Sequence, residues 1–246
     1  MPQPQITVLD DYEMLSRAGA ELVADALAER PNTRVVVATG ATPMGLYRQL
    51  ARKREDGDLD ASNVTVFQLD EYIGVAPDDR RSLLRWAMRS FVEPLDIPAS
   101  NVVPLPVDGD PAACAVYDRD VAEAGGYDLA ILGIGMNGHV GFNEPPSDAT
   151  VPTRMVELSP ESVGSNAVYW GDEARVPRLA VTIGMAGLLR SRTMLLVASG
   201  GAKRDIVRRA LLGPVTPEVP ASHLQNARDL RVLVDRAAWD GAEDSP

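Results

Sequence analysis

Hydrophobic positions along the chain fall into short β-branched or aliphatic runs separated by longer amphipathic stretches. Residues 5–9 (QITVL) read as a first strand, and Asp10 and Asp11 offer N-caps for a helix reaching Arg30. Leu15, Ala18, Leu22, Ala26 and Leu27 recur along that helix at helical spacing, and Pro31 ends it. The run from Arg34 to Thr39 (RVVVAT) predicts a central strand. Gly40, Ala41 and Thr42 then turn the chain into a helix, with Thr42 as its cap and Pro43 at its first position. That helix points Leu46, Tyr47, Leu50 and Ala51 towards the core. Val64 to Leu69 predicts the next strand and delivers Asp70, Glu71 and Tyr72 at its carboxyl end.

Residues 82–92 read as a helix with Leu83, Leu84, Met88 and Phe91 inward, and Ala112 to Gly125 as another. A proline-punctuated connection, Pro94 to Pro106, lies between them. The apolar run Leu129 to Leu132 (LAIL) predicts a buried parallel strand. Leu179 to Ile183, Thr193 to Ala198 and Arg231 to Val234 complete the strands. Pro146 to Pro160 and residues 213–221 are expected to be loops, the first able to act as a lid, and the tail from Asp240 to fray. Strands alternating with helices from end to end predict an α/β fold. The expectation is a single Rossmann-like domain spanning residues 1–246, its mainly parallel sheet flanked by helices.

Composition narrows the function classes. Hydrophobic residues make up 45% of the chain, enough for a full core. The net charge is −11, and the basic runs at 51–55 and 203–209 are diluted by acids, so nucleic acid is not expected as a partner. No segment approaches the roughly 18 consecutive apolar residues of a membrane span. The N-terminus shows no signal-peptide pattern, and the one cysteine, Cys114, allows no internal disulfide, so a cytoplasmic location is expected.

Candidate chemistry concentrates after the LAIL strand. Gly133, Gly135, Gly138 and Gly141 let the backbone turn sharply, and Asn137, His139, Asn143 and Glu144 lie within the same loop. Loops after the carboxyl ends of parallel strands form the ligand crevice of an open α/β sheet. Asp70 ends a second such strand, and side-chain alternation points Asp70 and Glu71 in different directions. Gly40-Ala41-Thr42 and Ser199-Gly200-Gly201-Ala202-Lys203 each follow a strand and open a helix, a recipe for holding an anion.

Four segments in register resemble the glucosamine-6-phosphate deaminases, which share a superfamily with 6-phosphogluconolactonases. They are Thr39-Gly-Ala-Thr-Pro43, Leu69-Asp-Glu-Tyr-Ile73, the glycine-rich segment from Gly133 to Pro145, and Gly200-Gly-Ala-Lys203. The Phe142-Asn-Glu-Pro145 continuation favours the deaminase branch, and the resemblance spans about residues 5 to 235. It implies isomerising deamination of an amino sugar phosphate without metal or organic cofactor. It also implies that Asp70 is the base, that His139 assists ring opening and that Glu144 orients that imidazole. Asn137, implied to be catalytic with these three, stands where some relatives carry Asp, and Gly40, Ala41, Thr42, Gly138 and Lys203 fall at substrate- or phosphate-binding positions. Val168 falls where a phosphate-binding Arg is expected, with Arg154, Arg175 or Arg178 as substitutes, because the stretch between them, residues 162–170 included, reads as a mobile loop. The C-terminus is short, so part of the allosteric amino sugar site of some oligomeric members is expected to be lacking. The lactonase reaction and a non-catalytic sugar phosphate sensor are the alternatives, and whether the protein is a monomer or a homo-oligomer stays open.

Overall fold

The computed structural model describes residues 4–240. Elements run β1 (Gln5–Leu9), α1 (Tyr12–Glu29), β2 (Arg34–Val37), α2 (Met44–Glu55), β3 (Thr65–Gln68), β4 (Asp70–Tyr72) and α3 (Leu83–Ala87, continued by a π-helical stretch Met88–Val92). Then come β5 (Val102–Val103), α4 (Pro111–Glu123), β6 (Leu129–Leu132), β7 (Arg154–Glu157), α5 (Pro160–Trp170), β8 (Leu179–Thr182) and α6 (Met185–Leu188). β9 (Thr193–Ala198), α7 (Arg204–Leu212), β10 (Leu230–Asp235) and α8 (Arg236–Trp239) complete the described chain. Residues 241–246, most of the tail expected to fray, lie outside the described residues.

The expected parallel sheet has seven strands, in the order β1-β10-β9-β6-β2-β3-β5, its edge strand β5 lying within the Pro94–Pro106 stretch expected to be only a connection. Alternation along the interior strands divides their side chains between two buried faces. Val35 and Val37 pack with α1 and α2 residues such as Leu27 and Leu46, whereas Val36 and Ala38 pack with Leu132, Ile206 and Val207 on the other side. Both faces are therefore dry, and strands rich in Val, Ile and Leu are stable there.

A second, antiparallel sheet, β4-β8-β7, was not evident in the sequence. The strand expected at Leu179 to Ile183 forms, but within this smaller sheet rather than the main one. β7 lies inside the segment expected to be a lid, its residues alternating between half-buried and exposed. That segment is tied down rather than free. Ser147 donates its amide to the Pro217 carbonyl at 3.0 Å, the Thr153 amide donates to Asp118 at 2.9 Å, and Ala186 donates to Val151 at 3.0 Å.

Helix α5 also corrects the sequence reading of residues 162–170 as loop-like. Ser159 caps it by accepting from the Ser162 amide, Pro160 supplies a first-turn position, and Gly171 ends it at φ 74°. Its buried side is narrow (Ser162, Val163, Trp170), so apolar periodicity gave no signal.

Two smaller corrections concern α1 and α2. The buried stripe of α1 is Leu15, Ser16, Gly19, Ala20, Val23, Ala24 and Leu27, and Ala18, Leu22 and Ala26 are only partly covered. The stripe is rotated because α2 crosses closely over the small residues: a methyl on Gly19 would meet Leu46 at 2.5 Å. Thr42 does not cap α2, whose N-cap is Pro43; instead the Tyr12 hydroxyl accepts from the Gly45 amide at 2.8 Å.

Candidate functional site

The order in which strands are added to the sheet reverses between the parallel neighbours β2 and β6. From β2 the chain proceeds to β3 and β5 on one side, while β6, β9 and β10 follow on the other. Such a switch point opens a crevice at the carboxyl ends of the strands. Here a cavity of about 280 Å³ is walled by Gly40, Ala41, Thr42, Asp70, the Gly133–Met136 turn, His139 and Lys203. Helix α5 closes one side with Ser165, Asn166 and Tyr169. All four sequence motifs thus reach one place.

Gly40 adopts φ 100°, a conformation that disfavours side chains, so the turn after β2 depends on glycine. Tyr12 secures this turn by donating its hydroxyl towards the carbonyls of Ala41 and Thr42, at 3.2 and 3.0 Å. Across the crevice, Asp235 at the end of β10 accepts from the Ser199 hydroxyl and, at 3.1 Å, from the Gly200 amide. This fixes the start of the turn that carries Lys203. The Lys203 ammonium donates to the Ile134 carbonyl at 2.7 Å, and burial lowers its pKa. Among the described residues lining the crevice, it is the one lysine or arginine.

Asp70 and Glu71 diverge as strand alternation requires. Glu71 turns away from the crevice and accepts from Gln68, Ser82 and the amides of Tyr72, Leu83 and Leu84, at 2.8 to 3.0 Å. It therefore holds the N-terminus of α3, which supplies Leu83 and Trp86 to the crevice wall. Asp70 faces the cavity but is 7% exposed. Burial, and then the neighbouring Glu71 carboxylate, push its pKa up to about 8.

The His139 loop is built around close backbone approach. A methyl on Gly135 would meet the imidazole at 2.3 Å, so only glycine lets the ring lie there. Nδ1 of His139 sits 3.2 Å from the Ser162 hydroxyl and 3.5 Å from Glu144 Oε2. Glu144 lies behind the imidazole and is almost fully buried. Burial alone would raise its pKa, but His139, Ser162 and Asn137 outweigh this and hold it at about 2. The carboxylate is therefore ionised across the neutral range.

Asn137 does not line the crevice. Its Nδ2 donates to Glu144 Oε2 at 2.8 Å and to Ser159 at 3.3 Å, and its Oδ1 accepts from the His139 amide at 3.2 Å. An amide suits this position because it donates to the carboxylate. Asn137→Asp is therefore expected to destabilise the fold, with the fall in Tm against wild type widening as pH rises from about 3 to 7, because two carboxylates would then face each other. A pH-independent difference in calorimetric Tm would contradict this arrangement.

Gly138 also lies off the crevice: it packs against Val219 and Ile206, and its carbonyl accepts from the Ala221 amide at 2.9 Å. Val168 is 76% exposed on α5 and is not a crevice wall. Nor do the substitute arginines reach in. Arg154 is engaged with Asn143 at 2.8 Å and Ser147 at 3.0 Å, and neither Arg175 nor Arg178 lines the cavity.

A sequence profile for glucosamine-6-phosphate isomerases/6-phosphogluconolactonases matches residues 12–234. The chain belongs to this family. Among curated relatives in the family, a glucosamine-6-phosphate deaminase of Thermoanaerobacter sp. (strain X514) is 35% identical, over 95% of this chain and 93% of its own length. Glucosamine-6-phosphate deaminase 2 of Bacillus subtilis (strain 168) is 37% identical, over 95% and 96% respectively. The fold agrees: a monomeric glucosamine-6-phosphate deaminase superposes with a TM-score of 0.91 at 36% identity, covering 95% of this chain and 98% of the other. A 6-phosphogluconolactonase from Leishmania guyanensis shares the fold at a TM-score of 0.77 and 22% identity, covering 98% and 99%. Within the family, therefore, the deaminases are the nearer relatives of this chain.

Several residues of the site were not singled out in the sequence. Ser162, Ser165, Asn166 and Tyr169 sit on a helix that gave no periodic signal. Asp235 did carry one: it ends an apolar strand with an acid, the same pattern that marks Asp70. Trp86 and Tyr169 stack edge to face at the crevice, with centroids 4.9 Å apart, and only the tertiary fold brings them together.

Proposed function

We propose that this protein catalyses the isomerising deamination of glucosamine 6-phosphate, giving fructose 6-phosphate and ammonia. The observation that carries the reading is one crevice shared by a buried carboxyl, Asp70, and an imidazole, His139, braced by an ionised Glu144. Deaminase relatives at 35–37% identity over nearly the whole chain support the same reading.

The chemistry follows from the groups present. His139 moves a proton between the anomeric hydroxyl and the ring oxygen, which opens the pyranose to the aldehyde. Asp70, ionised, removes the C2 proton while the C1 carbonyl oxygen takes up a proton, leaving a C1=C2 double bond. The same carboxyl returns the proton to C1, and C2 becomes the carbon of an imine. Water adds to C2 and ammonia leaves, giving the ketose. Such positioned proton transfers contribute about 10²–10⁴-fold each. The phosphate is held by the Gly40–Thr42 turn and Lys203, with backbone amides and a point charge in place of a guanidinium.

The deciding assay incubates the protein with glucosamine 6-phosphate and follows ammonia and ketose phosphate, expected in equal amounts. Hydrolysis of a sugar phosphate lactone without ammonia release would assign the lactonase reaction instead. Thermal stabilisation by the sugar phosphate without turnover would assign the sensor role.

Lys203→Ala should raise KM for glucosamine 6-phosphate by about tenfold or more, since one charge-assisted hydrogen bond is worth roughly 1.5–3 kcal/mol. The kcat should change little. Steady-state kinetics check this, and an unchanged KM would place the phosphate elsewhere.

A further inference from the structure

We propose that Ser162 is a positioning residue for His139: it holds the imidazole in the tautomer with the proton on Nδ1, and so ties helix α5 to the reacting loop. This role rests on the deaminase reading above for its kinetic consequence, though its geometry does not depend on that reading.

Ser162 is fully buried and does not line the crevice, so it meets the substrate only through other groups. Its hydroxyl lies 3.2 Å from His139 Nδ1, and Glu144 Oε2 lies 3.5 Å from the same nitrogen. A hydroxyl can donate one hydrogen bond while accepting others. If Nδ1 carries the proton, it donates towards both the serine oxygen and the carboxylate, and the serine proton is free to donate to Glu144. If Nδ1 were bare, the one serine proton would go to it and be lost to Glu144, while the nitrogen lone pair faced the carboxylate at 3.5 Å with no proton between them. The first arrangement opposes no lone pairs and lets both Nδ1 and Ser162 donate to Glu144, and it leaves Nε2, the nitrogen lying over the crevice wall at Gly135, as the acceptor.

The serine oxygen is itself placed by the cap of α5. Ser159 accepts from the Ser162 amide at 3.2 Å, and the same Ser159 hydroxyl accepts from Asn137 at 3.3 Å. The first turn of α5 is thus attached to the 137–144 loop at two points, through Ser159 to Asn137 and through Ser162 to His139. Within the next two turns the same helix presents Ser165, Asn166 and Tyr169 to the cavity. Asn166 also donates to the Ser162 carbonyl at 2.8 Å. A sugar seated against α5 therefore presses on the element that sets which imidazole nitrogen is protonated.

The test reads the tautomer directly. The chain holds two histidines, so ¹⁵N-histidine labelling gives two ring systems, and loss of one in His139→Gln assigns the other to His223. In the unliganded wild type at mildly alkaline pH, His139 is expected as the Nδ1–H tautomer. In Ser162→Ala, the two ring nitrogens should move towards a tautomer average. Turnover of the closed pyranose should fall about tenfold, the scale of one lost hydrogen bond. KM and turnover of a pre-opened substrate analogue should change much less, and Ser162→Thr should restore both tautomer and rate.

A bare Nδ1 in the wild type overturns the proposal without any variant. So does a Ser162→Ala protein that keeps the wild-type tautomer, or one that loses activity equally on closed and open substrates. Should no amino sugar phosphate release ammonia while the tautomer still shifts in Ser162→Ala, the deaminase reading falls and the positioning of His139 stands.

Discussion

Asp70→Asn should abolish deamination, with kcat falling by about three orders of magnitude or more, the upper range for one positioned proton-transfer group. Exchange of solvent deuterium into C2 of the substrate and C1 of the product should vanish with it. Wild-type-like exchange in the variant would show that another group is the base. The same carboxyl predicts a pH profile. With its pKa raised to about 8, only the minor ionised fraction of free enzyme can abstract a proton at neutral pH. Thus log kcat/KM should climb with unit slope up to about pH 8 and then level. Stability should respond in the opposite sense. An acid whose folded pKa lies above its unfolded value costs nothing below about pH 4; its cost grows between about pH 4 and pH 8 and stays constant above. The Tm of Asp70→Asn should therefore exceed that of wild type by a margin that widens across that window. A constant margin would mean that Asp70 titrates normally in the folded protein.

His139→Gln should cost about 10²–10³-fold in turnover of the closed pyranose, and far less with a substrate analogue already open. Glutamine fills part of the imidazole's volume and can hydrogen-bond Glu144, but it cannot relay a proton. Equal losses on both substrates would place His139 in the C2 proton transfer, or in structure alone. Because Glu144 is held at about 2, its charge braces the imidazole throughout the range in which such assays run.

The interior strands of the main sheet were legible because they are buried on both faces, so each appears as an apolar run, whereas edge strand β5, two half-buried residues, lies hidden in the Pro94–Pro106 connection. The polar site was legible for a related reason: Asp70, the Gly40–Thr42 turn, the His139 loop and Lys203 all follow such runs directly. What escaped notice was whatever lacks an apolar signature. Strand β4 is Asp-Glu-Tyr, and its pairing with β8 is written in tertiary contacts, not in alternation. Helix α5 buries three side chains along one narrow edge, so its serines and asparagines read as loop. The consequence reached the site itself. A loop there would free the flanking arginines to enter the crevice, whereas Arg154 is committed to Asn143 and Ser147. Gly138 likewise shares a motif with His139 yet faces Val219 and Ile206 rather than the cavity.

The last main-sheet strand to leave the ribosome is an interior one. β10 inserts between β1, the first strand made, and β9, pairing Gln5 with Arg231 and Leu230 with Met194. Until residue 230 is available, β1 has no neighbour and β9 presents an open apolar edge to the cell. Asp235, which pins the Gly200 turn, arrives later still. The turn that carries Lys203 is therefore pinned only after β10 has been made. A chain stopped short of β10 should be a client for chaperones and proteases, not a weaker catalyst.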